Sequence, residues 1–178
     1  AEGNRPARAV VVDLFETAAE QVVRLRHARD EPEGELPEDV HVLAPSDEGR
    51  GTTIEGVVTV HRFQYRPISL VRGLAYGSGI VANLKRHPWL WLQVPLFSVS
   101  MLLALRRLIR TEQPNVIHAH WILPQGLIAV LTKYLYKVPV IVTAHGADAF
   151  AFRGQLVTRL KRFALVKSHA WTANTRAT

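Results

Sequence analysis

Short apolar runs rich in β-branched residues alternate along this chain with segments of helical spacing, and that alternation restricts the fold more than any other feature. Residues 9–14, 40–44, 57–63, 116–120 and 138–144 read as strands, with 170–172 as a short last one. Residues 18–28, 80–86, 125–136 and 155–166 read as helices, and the acid- and glycine-rich stretches 30–39 and 47–53 read as loops. Most of the strand segments are apolar throughout, the mark of a sheet covered on both faces. Strand–helix alternation joined by right-handed crossovers gives a single α/β domain, a Rossmann-like doubly wound parallel sheet. Working groups in such a sheet sit beyond the carboxyl ends of its strands.

With 178 residues, 48% of them hydrophobic, the chain can bury a sizeable core. The absence of cysteine excludes disulfides, thiolate metal sites and cysteine nucleophiles. The formal net charge of +7 is unevenly spread. After Asp148 there is no acid, while Arg153, Arg159, Lys161, Arg162, Lys167 and Arg176 all follow it. A cationic surface of that kind fits an anionic partner such as phosphate groups, nucleic acid or lipid; it equally fits a basic face that is merely solvated. The basic segment 155–167 lies in no recognisable nucleic-acid-binding module, so no nucleic acid is expected. No signal peptide is visible in the polar first nine residues, and both ends read as cut from a longer protein.

Residues 89–105 form the most apolar stretch, broken only by Gln93, Ser98 and Ser100. Three readings stand: a core helix, an interfacial segment in which Trp89, Trp91, Leu92 and Phe97 dip into lipid beside Lys85, Arg86 and Arg107, or a membrane span. Pro95, read as a helix breaker, and a length below the roughly 20 residues of a span argue against the last.

Three strand ends carry chemistry. The turn from Asp13 to Glu20 has no glycine and there is no GxGxxG or GxxxxGK[ST] pattern, so a dinucleotide cradle is not expected there. His118 and His120 end one strand and share a face. They could share a metal with His145 and Asp148, the basis of a metal-dependent hydrolase reading, or one could bond within the sheet while the other lines a cleft. His145, followed by Gly146 and Asp148, ends the next strand, where its imidazole could donate to a sugar hydroxyl or phosphate or act as a base.

The segments Asn115-Val116-Ile117-His118-Ala119-His120-Trp121, Pro124-Gln125-Gly126 and Val142-Thr143-Ala144-His145-Gly146-Ala147-Asp148 together resemble the amino-terminal half of family 4 glycosyltransferases. That family has two Rossmann-like domains in the GT-B arrangement and retains anomeric configuration. The resemblance implies transfer of a sugar from a nucleotide-diphosphate sugar to a glycan or lipid-linked acceptor, with no further cofactor and no metal. It implies catalytic roles for His145 and Asp148. Substrate contacts would come from Glu20, His120, Trp121, Gln125, Gly126, Gly146 and, in the turn before the interdomain linker, Arg176. Glu20 stands in a first loop where many members have paired glycines. The family's donor-binding domain, with its glutamate pair seven residues apart, has no counterpart here, since the last glutamate is Glu112. A donor half in cis or as a separate subunit is therefore expected, with this half inactive alone. The implied location is cytoplasmic, peripheral at the inner face of a membrane. A glycan- or lipid-phosphate-binding module without chemistry is the alternative.

Overall fold

The computed structural model describes residues 8–13, 39–46, 49–55, 58–65, 80–151 and 153–173. Among the described residues seven strands form one sheet: β1 (Arg8–Val12), β2 (Asp39–Pro45), β3 (Gly51–Glu55), β4 (Val58–Phe63), β5 (Val116–His120), β6 (Val140–Ala144) and β7 (Ala170–Ala173), in the order β3-β4-β2-β1-β5-β6-β7. All neighbours are parallel except β3 and β4, which pair antiparallel from Gly51 opposite Arg62 to Glu55 opposite Val58. The sheet is thus mixed, and β3 occupies part of the stretch expected as a loop. Its residues 51–54 are exposed at an outer edge, so no apolar alternation marks them.

The described helices are α1 (Ile80–Arg86), α2 (Gln93–Glu112), α3 (Leu127–Tyr136), the single turn α4 (Gly146–Phe150) and α5 (Gln155–Lys167). A 3₁₀ turn, Pro88–Leu92, leads into α2. Pro95 does not break α2, because it stands in the first turn, where no backbone N–H is needed for an intrahelical bond. Gln113 and Lys137 end α2 and α3 in the left-handed conformation, φ 49° and 57°, each returning its N–H to a carbonyl four residues back.

One large core lies between the sheet and α2, α3 and α5. Val10, Val12, Ile117, Ala119, Val140 and Val142 face Phe97, Met101, Leu105, Ala129, Val130 and Ala164 across it. Phe97 sits at its centre, fully enclosed, with the rings of Phe63 and Tyr65 at 5.5 and 5.0 Å. Val11, Val40, Val42, Val58 and Val60 form a second cluster on the opposite face. The expected helix at 18–28, together with Glu20, lies outside the described residues, as does Arg176.

The order places β1 centrally, with β2 and β4 to one side and β5, β6 and β7 to the other. The connection reverses direction between β1 and β5, and the carboxyl ends of strands at such a reversal are where ligands of open α/β sheets bind. The opposite end of the sheet is closed by charge: Arg8 Nε meets Asp39 Oδ2 at 3.2 Å, and the buried His41 approaches Asp39 Oδ1 at 3.1 Å and bonds His61 at 3.0 Å.

Candidate functional site

Strand periodicity sends His118 and His120 to the face opposite Ile117 and Ala119, toward the switch-point side. Their rings lie 4.6 Å apart, and the His145 ring stands 5.6 Å from that of His120. Trp121 stacks alongside His145 at 6.1 Å. Three imidazoles and an indole therefore line up across the ends of the adjacent strands β5 and β6.

Three of the four are held by different devices. His118 Nε2 bonds Thr143 Oγ1 at 2.7 Å, and that hydroxyl bonds Thr172 Oγ1 at 2.8 Å, a chain across β5, β6 and β7. Trp121 donates its backbone N–H to Thr143 O at 2.9 Å and takes φ 80°, ψ 136°, a region that residues with a Cβ rarely occupy. Strain of this kind persists only where the surroundings over-determine it. His145 opens the turn into α4. Its backbone N–H donates to Asp148 Oδ1 at 2.8 Å, and the backbone N–H of Ile122 donates to Asp148 Oδ2. One carboxylate thus ties the loop after β5 to the loop after β6.

The electrostatics follow from burial. Desolvation, aided by His120 and, less strongly, His145, lowers His118 to about 4 against the opposing pull of Asp13. Desolvation and His145 lower His120 to about 4. Both rings are neutral at pH 7, each with one donor and one acceptor nitrogen. Burial raises the pKa of Asp148, partly offset by the amides of Ile122 and His145.

The remaining sequence candidates are placed less openly. Gln125 is fully buried beneath the loop, with no hydrogen bond to its amide among the described residues. Gly126 is a packing position: a Cβ there would stand 3.0 Å from Trp121 O and from Val142 Cγ1. Gly146 begins α4. Among the described residues no group of three or more metal-ligating side chains is arranged to hold an ion, and both Asp148 oxygens accept backbone N–H groups.

Several roles at the site escaped sequence reasoning. Asp13, buried at the end of β1, acts electrostatically on His118. Lys161 reaches from α5 to donate to Ala149 O at 2.9 Å; burial lowers its pKa, and Asp148 opposes that. Thr143 and Thr172 carry the hydroxyl chain. Only alternation along the strands, which sets Thr143 on the face of His118, could have marked one of these beforehand.

A mostly parallel sheet whose strand order reverses between β1 and β5 defines a Rossmann-like domain. A model of the glycosyl transferase 4-like family matches residues 38–175, and the chain belongs to that family. An uncharacterized glycosyltransferase of Methanocaldococcus jannaschii is 33% identical over 54 residues, covering 30% of this chain and 15% of that protein. Among solved structures, a sucrose-phosphate synthase fragment from Thermosynechococcus elongatus aligns with TM-score 0.61 at 10% identity, over 96% of this chain and 77% of that one. The Glycyrrhiza uralensis glycosyltransferase UGT73P12, complexed with glycyrrhetinic acid 3-O-monoglucuronide, aligns with TM-score 0.55 at 9% identity, over 96% of this chain and 44% of that one. The matched stretch thus spans less than a sixth of the curated relative, and this chain covers less than half of the plant enzyme. The fold is that of one GT-B half.

Proposed function

We propose that this chain is the acceptor-side half of a retaining glycosyltransferase that moves a sugar from a nucleotide-diphosphate sugar to a glycan or lipid-linked acceptor. The observation that carries the reading is the row His118–His120–His145 with Trp121 stacked on its end, set on the carboxyl ends of the adjacent strands β5 and β6, beside the switch point.

The neutral imidazole of His120 suits sugar hydroxyls, since it can donate through one nitrogen and accept through the other. In this reading His145 bonds the transferred sugar, and His120 and the Trp121 indole form the wall beside it. Asp148 acts through its two amide bonds, fixing where His145 and the Trp121–Ile122 loop stand. The half supplies hydrogen bonds and orientation; the donor's nucleotide and phosphates fall to a second Rossmann-like domain, in the same chain or a partner subunit. Reaction between two domains requires both walls, because the barrier falls only when both reactants are held in line. The reaction belongs to the cytoplasmic side, with the acceptor at a membrane's inner face.

The test is transfer from a panel of nucleotide-diphosphate sugars, by this chain alone and with a donor-binding half supplied, with the product anomer read by NMR. The expected result is no turnover alone, and turnover with retained configuration when paired, lost in His145→Ala. Acceptor binding without transfer in any pairing would favour a non-catalytic glycan-binding module. Turnover by the chain alone would overturn the two-half reading.

A further inference from the structure

The helix α2 is apolar on two opposite faces. Phe97, Met101, Leu105 and Leu108 are buried against the sheet. On the other side Leu96, Val99 and Leu103, continued by Leu92 at the helix N-cap, are exposed, at 43, 54, 58 and 83%. Their spacing of four, three and four residues sets them in one stripe, roughly 16 Å long at 1.5 Å per residue. Trp89 and Trp91 stand half exposed in the 3₁₀ turn at its start. Alongside, α3 shows Leu131, Tyr134 and Leu135 to solvent. An outer helix face of a water-surrounded domain is ordinarily polar.

The segment Pro88–Glu112 is long and apolar enough to cross a membrane, with 22% of its most apolar stretch buried. Spanning would strip Phe97 and Met101 from the core, so the stripe has to meet an apolar phase while the opposite face stays on the sheet. Charge selects the phase. Lys85 and Arg86 precede the stripe, and Arg106, Arg107 and Arg110 follow it. Glu112 is the only acidic residue between Gly56 and Ala147, and its carboxylate lies 3.7 Å from His41. A second copy of this surface would bring cation against cation. Beside Leu103 and Arg107 a cleft of about 700 Å³ opens between α2 and the β3–β4 edge, with Arg50, His61 and Arg62 on its walls against the one carboxylate of Glu112.

We propose that the outer face of α2 docks on an anionic lipid bilayer, with α2 lying in the plane of the interface. Leu92, Leu96, Val99 and Leu103 enter the acyl boundary, and the indoles of Trp89 and Trp91 sit at headgroup depth. Lys85, Arg86 and Arg107 meet lipid phosphates, and the cleft beside Arg107 receives a headgroup. Because α2 runs back from the carboxyl-terminal end of the sheet, the indole end of the stripe is the end nearest the switch point. The docking stands independently of the transfer reaction.

The full chain would be sedimented with vesicles of phosphatidylcholine alone and of phosphatidylcholine with phosphatidylglycerol, at low salt and in about 0.5 M NaCl, where charge is screened. Binding to the anionic vesicles only, weakened by salt and accompanied by a blue shift of tryptophan emission, is expected. Lys85→Ala/Arg86→Ala lowers the partition coefficient about 30-fold. Leu96→Asp/Leu103→Asp, at exposed positions checked by circular dichroism, abolishes binding. Equal binding by the folded aspartate variant, or no binding to anionic vesicles at low salt, overturns the proposal. So does a solution dimer in sedimentation velocity that the aspartate variant dissolves, which would assign the stripe to a second copy.

Discussion

Replacing Asp148 tests whether one carboxylate holds the two site loops together. The side chain is 1% exposed and accepts the backbone N–H groups of Ile122 and His145. In Asp148→Ala both donors lose their acceptor in a buried setting, at about 1–3 kcal/mol for each group left unmet. Removing a buried charge returns part of that, since its net pKa shift is upward and burial is the leading cause. A net loss of about 2–4 kcal/mol follows, or a fall of roughly 5–15 °C in Tm for a chain of this size. Asp148→Asn keeps one acceptor and turns an NH₂ toward the other donor, so about half that loss is expected. The pH dependence carries its own sign. The folded pKa of Asp148 is raised above the ordinary 3.8, so the native state holds the proton longer, and this stabilisation fades as pH rises through the folded value. The gap between wild type and Asp148→Asn should therefore narrow as pH rises from about 4. Chemical denaturation monitored by circular dichroism gives the energies, and hydrogen exchange at the Ile122 and His145 amides gives the mechanism. Unchanged protection at those two amides in the alanine variant would refute the clamp whatever the melting temperature did.

Two further outcomes follow from the same site. Gly126→Ala places a Cβ at 3.0 Å from a backbone oxygen that cannot swing aside, and should cost about 1–3 kcal/mol in thermal unfolding, whereas Gly51→Ala, with nothing within 4 Å, should not destabilise. His118 and His120 have folded values near 4, below the ordinary 6.5, so the stability they carry is complete above 6.5 and drains away as pH falls toward 4. NMR titration should find both rings neutral at pH 5.5, and His118→Gln/His120→Gln should flatten the loss of stability between those limits.

The parallel core strands and their helices are legible in the sequence because continuous β-branched runs and 3.6-residue spacing are signatures of packing. The observed α1 coincides with the expected helix at 80–86, and β5 with the expected strand at 116–120. The edge strand β3 is not legible: Gly51, Thr52, Thr53 and Ile54 face solvent, and their order depends on pairing with β4, which no local pattern encodes. Helix α2 was hidden at both ends, because Pro95 reads as a breaker unless its position in the first turn is known. Its two apolar faces look like one apolar run until a sheet covers one of them. The neighbouring placement of His120 and His145 follows from strand order. The clamp by Asp148 does not, since nothing in a sequence tells which amides a buried carboxylate will meet. The family resemblance drew attention to these residues without disclosing the hydroxyl chain behind them.

Trp121 occupies backbone territory, φ 80° and ψ 136°, that glycine enters without penalty. The fold therefore gives up about 1–3 kcal/mol to keep an indole at this bend. Exchanging that tryptophan for glycine should relax the bend while stripping the aromatic wall from beside His145. If the proposed sugar site is the working one, durability and ligand affinity are set in opposition at a single residue, and a screen for heat resistance alone would select against binding.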